Sequence, residues 1–293
     1  MFEGRRLLLV HAHPDDESIN NGATMAKYAA GGAQVTLVTC TAGEEGEVVV
    51  PDLAHVAVDQ EDRLGPIRQV ELAAAMAELG VSDHRFLGGF GTFRDSGMVG
   101  TAANARPDCF WQSDLLEAAA HLVAVIREVR PQVLVTYDDF GGYGHPDHIK
   151  AHRVAMYSAS LAAAPSFRAD LGEAHDIAKI YWSATPRGQM QAVIDQLKAQ
   201  GVENEFTTQD LSQMPFFCDD DLVTTEIDAR DFQSHKVSAL KAHRTQIDLE
   251  SGFFQMLSSL GDGAFGLEHY RLVKGTAGVG AGGARESDLF AGL

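Results

Sequence analysis

The stretch Leu7-Leu8-Leu9-Val10-His11-Ala12-His13-Pro14-Asp15-Asp16-Glu17 decides how the chain is read. An apolar run of strand length stops abruptly at histidines, acids and a proline. A run with no alternation reads as a strand buried on both faces, as in a parallel sheet between helices. A second stretch, Gly141-Gly142-Tyr143-Gly144-His145-Pro146-Asp147-His148, repeats the pattern after the apolar run 133–137. We read the two stretches as meeting in space and holding one metal ion.

The rest of the chain supplies the frame. Residues 6–11 read as the first strand and 17–31 as a helix closed by Gly31-Gly32. A strand follows over 35–41, a loop over 42–47, a helix over 60–79 and a short strand over 84–87. Residues 88–113 are Gly-rich and irregular. A helix over 114–130 stops before Pro131, a fourth strand spans 133–137, a helix opens at Pro146, and a fifth strand spans 177–182. This alternation is the signature of right-handed βαβ units. The expected fold class is therefore α/β: a Rossmann-like, mostly parallel sheet in the order 3-2-1-4-5, flanked by helices. In that order the first and fourth strands are neighbours at the switch point, where ligands sit beyond the strands' carboxyl ends. Those are the two strands that end in the His-Pro-Asp turns.

After residue 185 the pattern changes to a helix over 186–200, an irregular patch around Pro215, Cys218 and Asp219, a strand over 222–228 and a helix over 230–244. We read 1–184 as the Rossmann-like catalytic domain. Residues 185–293 read as a smaller α+β subdomain walling the site, with a low-complexity, mobile Gly-rich segment over 275–283.

The chain has 293 residues, enough to bury a substantial core, and its net charge is −18. No basic stripe is present to neutralise phosphates, which argues against nucleic acid and against an anionic membrane surface as partners. Cys40, Cys109 and Cys218 are far apart and form no CxxC pair, which fits a reducing compartment rather than a disulfide framework. The first residues lack a secretory signal pattern, and no stretch approaches the roughly 18 apolar residues of a membrane span. The expected location is the cytoplasm.

Proline is favoured at the first helical position, where its missing N–H would be unpaired anyway. With Pro14 and Pro146 there, His13 and His145 flank the caps, and Asp16 and His148 fall in the first turns. His13, Asp16 and His148 then give two imidazoles and a carboxylate. That set suits catalytic zinc with one open position, and iron(II) fits the same ligands. Asp15 points elsewhere and suits the general base for an attacking water. His145 and Tyr143 would sit across the metal as oxyanion or proton donors, with Asp147 holding the His145 tautomer. Taken singly, Asp15 and Asp16 read equally well as acids favoured at a helix N-terminus, and His145 as a cap. Capping does not explain the pair of turns at adjacent strand ends. His11, alternating with His13, reads as a core histidine. His152, one turn beyond His148, is the weaker candidate to face the site. Glu47 in the acidic loop, and Arg68 and Asp95 on the same rim, are candidate ligand contacts.

The paired motifs resemble those of the LmbE-like, or PIG-L-type, zinc de-N-acetylases. Within that family the similarity is closest to the actinobacterial branch of mycothiol biosynthesis. It is carried by residues 38–48 and by Arg94-Asp95-Ser96-Gly97-Met98, Ala242-His243-Arg244-Thr245-Gln246 and Glu268-His269-Tyr270. The resemblance implies one zinc per subunit, held by His13, Asp16 and His148, with Asp15 as base. It implies Tyr143 and His145 as polarising and proton-donating groups, and Arg68 and Asp95 on sugar or inositol hydroxyls. The implied substrate is an N-acetylglucosaminyl-inositol, cleaved to the free amine and acetate. Around 49–60 and 165–220 the chain departs from the family pattern.

Four rivals remain on the sequence. An amidase of mycothiol S-conjugates, or a deacetylase of another N-acetylated sugar, would share the ligand set and differ in what it cleaves. A non-catalytic nucleotide-binding module fits the fold, but no GxGxxG follows the first strand, and two adjacent acids there would repel phosphate. A TIM-barrel amidohydrolase would need eight strand–helix units where about five are visible.

Overall fold

The computed structural model describes residues 1–199, 201, 208, 210–248, 264–278 and 284–293. The apolar run becomes β1 (Arg6–His11), followed by α1 (Asp16–Ala30), β2 (Gln34–Thr39), α2 (Leu64–Glu78) and β3 (Asp83–Phe86). Then come α3 (Leu115–Val129), β4 (Val133–Thr136), α4 (Pro146–Ala162), β5 (Lys179–Ala184) and α5 (Arg187–Ala199). The last elements are β6 (Thr225–Asp228), α6 (Gln233–Ala242) and β7 (Leu267–Lys274).

One seven-stranded sheet has the order β3-β2-β1-β4-β5-β7-β6. The first five strands run parallel in the expected order, with Leu7, Leu8 and Leu9 of β1 opposite Val133, Leu134 and Val135 of β4. The absence of alternation in β1 is explained by its two burial partners. Leu7 and Leu9 join Met25, Tyr28, Leu72 and Met76 beneath α1 and α2, while Leu8 and Val10 join Leu122, Ile126 and Val154 beneath α3 and α4. Each such side chain contributes about 1.5–3 kcal/mol on burial.

Several boundaries shift. Helix α2 begins at Leu64, after a 3₁₀ turn at Pro51–Val56, and a 3₁₀ turn at Arg230–Phe232 precedes α6. Strand β7 was not foreseen. It pairs antiparallel with β5 on one side and β6 on the other, so residues beyond 185 lengthen the same sheet. Its sequence, LEHYRLVK, carries charge at every third place (Glu268, Arg271, Lys274), a spacing that breaks the period-2 pattern and hides its strand character.

The segment read as mobile falls largely on residues 279–283, outside the described residues. Past it, the chain returns to the core. Glu286, buried, accepts hydrogen bonds from Lys179 Nζ, Tyr181 Oη, Thr225 Oγ1 and Gly278 N, and Leu289 and Phe290 pack under α1.

Candidate active site

The neighbouring ends of β1 and β4 bring the two His-Pro-Asp turns together. His13 Nδ1 lies 3.4 Å from Asp16 Oδ2 and 3.3 Å from His148 Nε2, and His148 Nε2 lies 3.4 Å from Asp16 Oδ1. Tetrahedral coordination with bonds of about 2.0–2.1 Å sets neighbouring ligand atoms about 3.3–3.4 Å apart. The two imidazole nitrogens stand at that separation, and each has a different carboxylate oxygen of Asp16 at 3.4 Å; His13 also belongs to two other clusters of potential ligands, with His145 and His148 and with Asp95 and Asp147.

Their other ring nitrogens are occupied. His148 Nδ1 lies 3.1 Å from Gly141 O, and His13 Nε2 lies 3.3 Å from Asp147 Oδ2. Each imidazole thus turns its free nitrogen to the same point, the arrangement that fixes tautomer and ring in metal sites. Gly141 has φ +68, and a Cβ there would meet His148 Cβ at 2.6 Å, so only glycine lets this carbonyl come so close. Tyr137, at the end of β4, stacks its ring on His148 with centroids 4.3 Å apart and accepts Ala12 N–H at 2.8 Å. A divalent metal fits this donor set.

Two expectations need correction. Pro14 does not open α1; the helix starts at Asp16, with Asp15 at the cap in a left-handed conformation, φ 122. Such a backbone costs a non-glycine residue about 1–3 kcal/mol. Pro146 does open α4, and His145 is its N-cap. Asp147 does not hold His145 through its carboxylate. Its backbone N–H donates to His145 Nδ1 at 3.1 Å, while the carboxylate crosses to His13 and accepts Ser96 N–H at 2.9 Å. Asp147 sits in the first turn of α4, and that turn faces β1 across the sheet end rather than folding back on its own cap.

The bond from Asp147 leaves His145 with its proton on Nε2. Burial, with His13 and His148 close by, lowers the His145 pKa to about 3, so the ring stays neutral and remains a donor. His145 lies edge-on to His13, centroids 4.7 Å apart. The Tyr143 ring is half-exposed, 5.0 Å from that of His148, and burial raises its hydroxyl to about 12, so it too keeps its proton.

Asp15 is placed apart from the ligand triangle. Arg68 Nη2 donates to its Oδ2 at 3.0 Å and to Pro14 O, and Arg68 Nη1 donates to Gly43 O at 2.8 Å. Burial pushes the Asp15 carboxyl up to about 6 against the pull of Arg68, which suits a group that must accept a proton near neutrality. A Cβ on Gly43 would fall 2.1 Å from Arg68 Nη1, so the loop closes over the guanidinium only because the residue is glycine. Asp95 is buried, with Oδ1 3.6 Å from His13 Nε2 and its carboxylate fixed by the N–H groups of Glu45 and Gly97.

These residues line a cavity of about 830 Å³, together with Glu47, whose carbonyl accepts Gln246 Nε2. His11 is a core residue, bonded to Asn21 at 2.8 Å. His152 is turned to Tyr137 O and does not line the cavity. The far wall was not assigned from the sequence. Trp182 and Ser183 of β5 and Glu268, His269 and Arg271 of β7 form it; the Glu268-His269-Tyr270 stretch carries the family resemblance, but its place in the site depends on the β5–β7 pairing.

A family model described as PIG-L: GlcNAc-PI de-N-acetylase matches residues 8–159. The 1D-myo-inositol 2-acetamido-2-deoxy-alpha-D-glucopyranoside deacetylase of Streptomyces scabiei is 58% identical over 294 residues, covering 99% of this chain and 90% of that one. A protein of the same name from Nocardioides sp. is 57% identical over 298 residues, covering 99% of both. Among solved structures, the N,N'-diacetylchitobiose deacetylase from Pyrococcus horikoshii matches in fold with a TM-score of 0.62, at 18% identity, over 92% of this chain and 84% of that one. Both His-Pro-Asp turns fall inside the matched span, and the full-length relatives share more than half of all positions, so the chain belongs to the PIG-L family of de-N-acetylases.

Proposed function

We propose that the protein is a zinc-dependent hydrolase that removes the acetyl group from N-acetylglucosaminyl-inositol, giving glucosaminyl-inositol and acetate, a step of mycothiol biosynthesis. The observation that carries the reading is the 3.3–3.4 Å spacing among His13 Nδ1, His148 Nε2 and the two carboxylate oxygens of Asp16, beside Asp15, in a chain whose full-length relatives bear the name of that deacetylase. His13, Asp16 and His148 would hold the ion. Bound there, zinc supplies a Lewis acid for the amide carbonyl and lowers the pKa of water.

The chain's own groups do the rest. Asp15 takes the proton of the attacking water, with Arg68 holding its carboxylate in place. His145 Nε2–H and the Tyr143 hydroxyl face the cavity as donors for the tetrahedral oxyanion, each such donor being worth about 3–4 kcal/mol. Asp15, once protonated, or His145 passes a proton to the departing amine. Asp95, Arg68 and Glu47 line the part of the cavity where sugar and inositol hydroxyls would lie.

The test is acetate release from N-acetylglucosaminyl-inositol by the purified protein, with chelator, and after zinc is restored. Turnover that chelator abolishes and zinc restores is expected. Indifference to chelator, or faster cleavage of a mycothiol S-conjugate, would reject this reading.

A further inference from the structure

The segment Ala242-His243-Arg244-Thr245-Gln246 has no part in the reaction just drawn, yet it lies beneath the turn that carries Asp15. His243 and Glu17 are both fully buried. His243 Nε2 lies 2.8 Å from Glu17 Oε1, and Ser18 Oγ donates to the same oxygen at 2.6 Å. The other oxygen, Oε2, accepts the backbone N–H of Asp15 at 3.0 Å.

Asp15 is the residue forced to φ 122. A non-glycine residue stays in that region only where its surroundings over-determine it. Two grips do so here: Glu17 on the N–H and Arg68 on the carboxylate. Glu17 in turn could not lie buried as an anion without a cation beside it. His243, with Nε2 2.8 Å from the carboxylate, is the partner placed to supply that charge. Burial opposes its charge, and the adjoining Glu17 carboxylate outweighs burial, raising the imidazole above its usual range.

The histidine is anchored from behind. Thr245 donates from N and Oγ1 to Glu71 of α2, and its carbonyl accepts Val49 N–H. His243 therefore cannot drift with a loosened turn.

We propose that the buried Glu17–His243 pair is a positioning device for the general base, fixing the Asp15 backbone in its left-handed conformation so that the carboxylate faces the reacting water. The inference rests on Asp15 being the base and adds what aims it. Neither residue lines the cavity.

Glu17→Leu keeps the volume and removes the grip, while Glu17→Gln keeps a carbonyl oxygen for the Asp15 N–H. Glu17→Leu should lower kcat about 100-fold, the scale of a small misplacement of a reacting group. KM and bound metal should stay within about twofold, and Glu17→Gln should recover most of the rate. In an Asp15→Ala background Glu17→Leu should lower kcat no further, because losses acting through one group do not add. A crystal structure of Glu17→Leu should show Asp15 relaxed out of positive φ. Should that variant not fold, His243→Asn, which strips Glu17 of its partner, should show the same split with a smaller loss. Equal losses with and without Asp15, a KM-borne effect, metal loss, or an unchanged Asp15 backbone would overturn the proposal. Near-normal turnover by Asp15→Ala alone would instead refute the base assignment, and the crystal structure would still judge the grip.

Discussion

The two His-Pro-Asp turns carry the same first three residues and use them differently. In the first, the chain passes Pro14 before it caps, and Asp15 takes φ 122. In the function proposed, His13 is thereby free to face the metal point, and Asp15 is left for proton transfer. In the second, Pro146 opens the helix and His145 caps it at φ −63. His145 spends Nδ1 on the cap, keeps Nε2–H for the cavity, and sends Asp147 across to His13. Only the fourth residue, Asp16 or His148, takes the same proposed part, as a ligand, in both. The motif supplies side chains; the backbone conformation at its third or first residue decides which becomes ligand, base or donor.

That contrast can be broken by mutation, and the largest effects come first. His13→Ala should lose both metal and turnover, whereas His145→Ala should keep its metal and lose about 100–1,000-fold in kcat, the range for one oxyanion donor. Metal analysis beside acetate release separates the two, and equal metal loss in both would erase the distinction. Asp15→Ala should likewise retain metal while losing nearly all turnover. Asp147→Asn should weaken metal affinity about 10–100-fold by slackening His13, as changes behind a ligand typically do. A titration with zinc reads that directly.

Smaller effects concern stability. The first turn rests on a titrating pair. His243 has its folded pKa above 6.5 and Glu17 below 4.5. The pair's contribution is whole between those unfolded values. It fades in acid as Glu17 protonates through its lowered pKa, and in base as His243 deprotonates through its raised one. The Tm gap between wild type and Glu17→Gln should be widest near about pH 5.5 and narrow on both sides. The smallest change is Pro146→Ala, expected to lower stability by about 0.4–1 kcal/mol through the unfolded chain, with metal binding unaltered. Thermal melts of the loaded protein check both.

Much of this was legible before any coordinates. Leu7 to Val10 without alternation announced a strand covered on both sides, and the doubled turn announced what stood at its end. The order 3-2-1-4-5, expected because it sets the two motif-bearing strands side by side, is the order observed for the first five strands. What stayed hidden depended on contacts distant in sequence. Nothing in LEHYRLVK says that it pairs with β5, so the far wall of the cavity could not be drawn. Nothing local says that Asp147 prefers His13 to its neighbour, since that choice needs two helix starts facing each other. The conformation of Asp15 escaped for the same reason: its causes, Arg68 and Glu17 with His243, are gathered from two helices and the cap of a third.

Strand β7 ties Trp182 and His269 to the same hydrogen-bonded ladder that ends in the catalytic turns. A cleft between separate lobes can widen by swinging one against the other, but a cleft whose opposite banks are rungs of one ladder has no hinge to swing on. Its breadth is a property of the ladder itself. Variants selected to admit bulkier amides should therefore trim side chains on those banks.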